Sequence, residues 1–208
     1  MGRRHMNAAK ACPDVTLVAA VDSDPERAET AAREFDIRAA TAAEDVIGGI
    51  DAAVIATPTL AHTSAAMMCL NAGIHCLVEK PLALSEPECR ALIDTAAVKN
   101  LLLQVGHSER FNPAVETLRD QNLDGRTIRS ITARRLNPPG NRVVRDDVVL
   151  DLMVHDLDII LALKHAPVRQ VAARTLGAEH AEAALTFDDG ATAVLAVSRS
   201  SDVRVRDI

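Results

Sequence analysis

Between residues 15 and 105 the chain alternates short β-branched runs with longer alanine-rich stretches, and this rhythm limits the fold more than any other feature. TLVAAVD (16–22), DAAVIATP (51–58), IHCLVEKP (74–81) and LLLQVGH (101–107) are nearly continuous in apolar residues, the pattern of strands buried on both faces. The intervening stretches carry helix punctuation. DPERAETAAREFD (24–36) has Asp24 as its cap and Pro25 in its first turn, LAHTSAAMMCLNAG (60–73) stops at Gly73, and SEPECRALIDTAAVKN (85–100) starts at Ser85. Strands buried on both sides and joined by helices predict a doubly wound parallel sheet in an α/β domain.

The rhythm changes after Gly106. ERFNPAVETLRD (109–120) reads as helix, RTIRSITARRL (126–136) as an alternating strand, and VVLDLMVHDLDIILALK (148–164) as a long amphipathic helix. VRQVAARTL (168–176), EAALTFDDG (182–190), ATAVLAVSRS (191–200) and DVRVRDI (202–208) then alternate apolar with polar residues around a tight DDG turn. This half is expected to be an α+β domain with a mostly antiparallel open sheet that keeps one face in water. Two domains follow, 1–106 and 107–208.

Composition removes several classes of function. At 208 residues, 48% hydrophobic and 25% charged, the chain suits an ordinary globule rather than a disordered segment. A net charge of −6 leaves no basic face for duplex nucleic acid, and three phenylalanines without Trp or Tyr supply no stacking platform for single strands. Cys12, Cys69, Cys76 and Cys89 form no C-x-x-C pair and have no nearby His at ligand spacing, so they read as reduced packing thiols and no metal site is expected. No run approaches the roughly 20 apolar residues of a membrane span, and a cytoplasmic protein with no membrane partner is expected.

Four short stretches carry chemistry. Asp22 ends the first apolar strand about twenty residues after Gly2, where a carboxylate accepts hydrogen bonds from an adenosine ribose and its charge disfavours NADP against NAD; a plain polar turn of Asp22, Ser23 and Asp24 reads equally well. ATPTLAH (56–62) takes a strand through Thr57 and Pro58 into a helix, the kind of turn that lines a ligand crevice or simply caps. His62, in that first helical turn, reads more readily as a solvated surface residue than as a ligand. In VEKPLAL (78–84), Glu79 and Lys80 end an apolar strand at the crevice edge, and a partly desolvated lysine there can stabilise negative charge developing on a substrate oxygen. Pro81 fixes the turn, with a cis peptide as one option. DLMVHDLD (151–158) sets Asp151 and His155 four apart, with Asp158 three further on, among residues that must be buried. An Asp beside a His suits a general base for an alcohol proton; a satisfied ion pair is the alternative, and a metal site lacks a third ligand at suitable spacing.

Taken together and in this order, Asp22, Glu79-Lys80-Pro81 and Asp151 with His155 resemble the glucose-fructose oxidoreductase and inositol dehydrogenase family (Gfo/Idh/MocA). The resemblance covers essentially the whole chain and implies an NAD-dependent oxidoreductase with a Rossmann-type first domain. It implies Lys80 and His155 as the catalytic pair with Asp151 as the histidine's orienter or a ligand of a substrate hydroxyl, and Gly2, Arg3, Asp22, Thr57, Pro58, His62 and Glu79 as cofactor contacts. GHSERFNPA (106–114) with RRLNPPGNR (134–142) and VVLDLMVHDLDI (148–159) is similar to the branch that oxidises the 3-hydroxyl of UDP-N-acetylglucosamine, which implies a sugar or nucleotide-sugar substrate. Arg110, Asn112, Arg135 and Arg142, with Arg134 and Arg145 nearby, would then meet its diphosphate, any one of them being as well explained by a solvated strand or loop.

Family chains open with an apolar strand and G-x-G-x-x-G, whereas MGRRHMNAAK resembles only the last glycine and the helix behind it. The first, central strand is therefore expected to be missing, the sheet incomplete, and the second domain cut short of the large open sheet through which a homo-oligomer would form. An inactive fragment and a non-catalytic binding module are the alternatives to the enzyme.

Overall fold

The expected parallel strands form, in two separate pieces. The structure is a computed structural model that describes residues 1–121, 125, 127–140 and 146–208, and it divides into two units, Met1–Gly106 and His107–Ile208.

In the first unit the order is α1 (Gly2–Ala11), β1 (Ala19–Val21), α2 (Pro25–Phe35), β2 (Arg38–Ala40), β3 (Ala52–Ile55), α3 (His62–Asn71), β4 (His75–Glu79), α4 (Glu86–Val98) and β5 (Leu103–Gly106). β1 pairs with β2 in parallel, and β3, β4 and β5 form a second parallel sheet in sequence order. Among the described residues β1 has β2 as its ladder partner and β3 has β4, so each piece keeps an open edge. Val21 and Val54, on those edge strands, remain 42% and 50% exposed, although a parallel sheet ordinarily buries such residues.

Local chemistry explains the helices. The Asp24 carboxylate accepts from the amides of Glu26 (3.0 Å) and Arg27 (3.4 Å), and Pro25 follows it in the first turn. Ser85 Oγ accepts from the Glu88 amide and donates to the Glu88 carboxylate. α3 ends where Gly73 turns to φ +83°, with Gly73 N–H donating to Leu70 O and Ile74 N–H to Cys69 O, the double bond of a Schellman cap. Ile55, Ala66, Cys69, Leu70, Ile74, Cys76, Val78, Leu92 and Ala96 form the core around β4, small and β-branched as the scarcity of aromatics requires. The run 16–22 shrinks to the three residues of β1 because its partner β2 is itself only three residues long.

The second unit contains α5 (Pro113–Asp120), β6 (Ser130–Leu136), α6 (Val154–Leu163), β7 (Val168–Thr175), β8 (His180–Phe187), β9 (Thr192–Ser198) and β10 (Val205–Asp207). The sheet order is β10-β6-β9-β8-β7, antiparallel except for the parallel β6–β9 pair. Gly190, at φ +80°, closes the β8–β9 hairpin through its bond to Phe187 O. Alternate residues of β8 and β9, among them Ala183, Leu185, Phe187, Leu195 and Val197, are buried with Met153 and Ile160. The helix expected over 148–164 carries a π-turn at Val149–Met153, where Val154 N–H reaches Val149 O, before α6 continues in ordinary α geometry. Among the described residues no helix is long and apolar enough to cross a membrane.

Candidate functional site

Parallel pairing brings the chemically loaded turns of the first unit to one edge. Ile55 is in register with Val78, so Thr57 and Lys80 each stand two residues past a paired position at the carboxyl ends of neighbouring strands. Ligand crevices of open α/β sheets form at such ends. Thr57 and Pro58 are exposed, Lys80 is half-buried, and the Lys80–Pro81 peptide is cis.

Glu79 is 7% exposed, and its Oε1 lies 2.6 Å from His5 Nε2 on α1. Its register partner is Gly106; a Cβ there would stand 3.3 Å from Glu79 Cα and 3.4 Å from Oε1, so the glycine lets the carboxylate lie flat across β5. Gly2 opens α1 with nothing within 4 Å of where a side chain would begin, and Asp22 lies just past β1 with Oδ1 accepting from the Asp24 amide at 3.0 Å. An unobstructed helix start and a strand-end carboxylate are a donor and acceptor set that suits a dinucleotide, one for its phosphates and one for its ribose. Arg3 is exposed and ion-paired with Glu34 at 2.6 Å.

His62 corrects the expectation of a solvated surface residue. It is 1% exposed, with Nδ1 2.7 Å from Pro81 O and Nε2 3.0 Å from Thr57 O. The ring nitrogens are thus taken by the two turns rather than offered to a ligand. Spacing along α3 could not show this, because the partner carbonyls come from two strands.

In the second unit Asp151 falls within the π-turn and His155 near the start of α6; both are half-buried. Asp151 Oδ2 forms an ion pair with Arg199 Nη1 at 3.6 Å. Arg199, just past β9, also grips Glu179 through Nε at 2.7 Å and donates to Asp146 O at 3.0 Å. Nothing in its local sequence marked it, since its partners lie 20 to 53 residues away.

The arginines expected to meet substrate have other partners. Arg135 is buried: its side chain is 5% exposed and bonds Asp156 through Nε and Nη2, the shortest contact being 2.6 Å, with Glu109 at 3.5 Å. Burial acts to lower its proton affinity, but the bonds to Asp156 and the charges of Asp156 and Glu109 outweigh it, and the net shift is upward. Arg110, half-exposed at its side chain, makes a bidentate pair with Asp158 at 2.6 Å for both bonds, while His107 Nε2 lies 3.7 Å from the same carboxylate. Arg134 pairs with Asp207, and Asn112 caps α5 through Oδ1 on the Ala114 amide. Arg142 and Arg145 lie outside the described residues. Among the described residues no three His, Cys, Asp or Glu side chains converge as a metal site would require.

Comparison with known proteins supplies a frame for these arrangements. The model of the Gfo/Idh/MocA oxidoreductase family, NAD-binding Rossmann fold, matches residues 1–107. The UDP-N-acetylglucosamine 3-dehydrogenase of Acidithiobacillus ferrooxidans is 39% identical over 204 residues, which are 96% of this chain and 64% of that one. A solved structure of the dehydrogenase of that name from the same organism superposes with a TM-score of 0.92 at 36% identity, covering 99% of this chain and 68% of its own. Myo-inositol dehydrogenase Hyg17 of Streptomyces leeuwenhoekii is 35% identical over 161 residues, 74% of this chain and 50% of that enzyme. The chain thus spans about half to two thirds of the length of these relatives.

Proposed function

Because the chain belongs to the Gfo/Idh/MocA family of NAD-binding oxidoreductases, we propose that it serves an NAD-dependent dehydrogenase that oxidises a sugar hydroxyl to a ketone, the 3-hydroxyl of a UDP-N-acetylhexosamine. Asp22 accepts from the adenosine ribose, the amides of Gly2 and Arg3 face the phosphates, and Thr57, Pro58 and Glu79 border the nicotinamide. Bound NAD supplies a hydride acceptor. His155 takes the hydroxyl proton, Asp151 orients the ring and balances its charge, and Lys80 donates a hydrogen bond to the substrate oxygen as charge gathers there. Arg199 is ion-paired with Asp151. Arg110 and Asn112 remain the residues assigned to the substrate diphosphate, with Arg142, and self-association through the sheet of the second unit belongs to the same proposal.

The observation that carries the substrate is the 39% identity to a UDP-N-acetylglucosamine 3-dehydrogenase over nearly the whole of this chain. The test is NADH formation, followed by absorbance, on mixing the protein with NAD and UDP-N-acetylglucosamine. Lys80→Ala and His155→Ala are each expected to lower kcat about 10²- to 10⁴-fold, the usual contribution of a positioned acid or base. The 35% identity to a myo-inositol dehydrogenase favours a second substrate class. Oxidation of free inositols with indifference to nucleotide sugars would move the assignment there, and a protein that binds NAD but turns over neither class would sink the catalytic reading.

A further inference from the structure

His62 is buried at the start of α3, and none of the chemistry above employs it. Its two partners are backbone carbonyl oxygens, Pro81 O at 2.7 Å from Nδ1 and Thr57 O at 3.0 Å from Nε2. Neither oxygen has a hydrogen to give. A neutral imidazole carries one N–H, so it can satisfy one carbonyl while turning a lone pair toward the other; a ring with both nitrogens protonated donates to both, and charge-assisted bonds are the stronger kind.

The two carbonyls belong to different turns. Thr57 follows β3 and Pro81 follows β4, and the two strands are neighbours in register. A planar ring with donors on opposite sides is suited to hold two carbonyls at one separation, whereas a hydroxyl has a single hydrogen. The surroundings are sparse in charge: α3 has no other charged side chain and β3 none. On β4, Glu79 is held by His5, and His75 accepts the Leu102 amide at the other end of the strand. Of α4, Glu86, Arg90 and Asp94 are exposed and Glu88 is bonded to Ser85. The thiols of Cys69 and Cys76 lie in the core that α3 and β4 share, and Lys80 sits in the clasped turn itself.

We propose that His62, with both ring nitrogens protonated, is a positioning residue that clasps the Thr57-Pro58 and Lys80-Pro81 turns at one separation and so fixes the backbone from which Lys80 projects. The consequence for cofactor binding rests on the dehydrogenase reading; the clasp itself does not.

The test begins with the protein labelled in ¹⁵N and ¹³C. Long-range proton–nitrogen spectra at neutral pH are expected to show hydrogens on both His62 ring nitrogens, with couplings across the two hydrogen bonds to the carbonyl carbons of Thr57 and Pro81. A single neutral tautomer, or carbonyls that show no coupling to the ring, would overturn the proposal. His62→Gln, which can reach one turn but not both, is then expected to melt as a folded protein and to bind NAD about tenfold more weakly, the size of one lost hydrogen bond. Parent-like NAD affinity in that variant also overturns it. Should the parent chain itself fail to bind NAD, the dehydrogenase reading is what fails, and the ring and carbonyl spectra still decide the clasp. They decide it equally if His62→Gln does not fold.

Discussion

The Arg135–Asp156 pair offers a prediction with a large and calculable size. Both side chains are about 5% exposed, the guanidinium makes three bonds to the carboxylate, and Glu109 stands behind at 3.5 Å. Asp156→Ala leaves a buried guanidinium with Glu109 alone, and Glu109 is already shared with Arg206 at 3.1 Å. Breaking a buried pair by removing one partner costs about 3–5 kcal/mol, a large share of a total stability of about 5–15 kcal/mol. Arg135→Met should cost less, because the orphaned Asp156 can take up a proton and shed its charge. Replacing both at once, Arg135→Met with Asp156→Leu, removes the buried charges together and should return to within about 1–2 kcal/mol of the parent. With Asp156→Leu measured as the single variant beside Arg135→Met, a double-mutant cycle by urea unfolding, followed by circular dichroism with m-values compared throughout, should therefore give a coupling of roughly 2–3 kcal/mol or more. Additive single variants, or a loss below about 1 kcal/mol for Asp156→Ala, would show that the pair is not buried as described.

Gly125→Ala should destabilise the second unit by about 1–3 kcal/mol, because the added Cβ would stand 2.4 Å from Leu163 O and 2.8 Å from His165 N, both backbone atoms; a melting temperature equal to the parent's would refute this. The buried Lys164 ammonium, bonded to Asp189, holds that carboxyl below its ordinary value. A depressed carboxyl contributes stability that is fully present above about pH 4 and is lost as the pH falls through the folded-state value, so the melting difference between the parent and Asp189→Asn should narrow toward pH 2, and a pH-independent difference would contradict it. Asp24→Ala removes the acceptor for two α2 amides and should cost about 0.5–2 kcal/mol in the same melts, with no loss counting against the cap.

Where structure is decided locally, the sequence announced it. Asp24, Ser85, Gly73 and the Asp188-Asp189-Gly190 turn each mark a boundary through a bond made within a few residues, and the helices and hairpin fall where those signals sit. β2 carries no signal of its own because three residues, one of them Arg38, form no periodic pattern; they become a strand by pairing with β1. His62 departs from its local pattern for the same reason, its burial being set by carbonyls 5 and 19 residues away. Arg135 did leave a trace. In β6 it shares the inward side with Ile131 and Ala133, a position at odds with the surface preference of arginine. The chemically suggestive turns, by contrast, are legible as strand ends in the sequence itself, since apolar runs that finish in Thr57-Pro58 or Glu79-Lys80 have few other places to go.

The π-turn before α6 has a consequence for anyone who would move or copy this helix. An ordinary α-helix advances about 100° per residue, and a turn closed by a bond five residues long contains one residue more than an α-turn does. Everything ahead of Val154, Asp151 included, is therefore out of phase by about one residue with everything behind it. Deleting a single residue from Val149–Met153 would leave the D-x-x-x-H lettering nearly intact while swinging the preceding turn roughly a quarter of the way around the axis. Grafting the motif onto an ideal helix would reproduce its spelling and lose its angle.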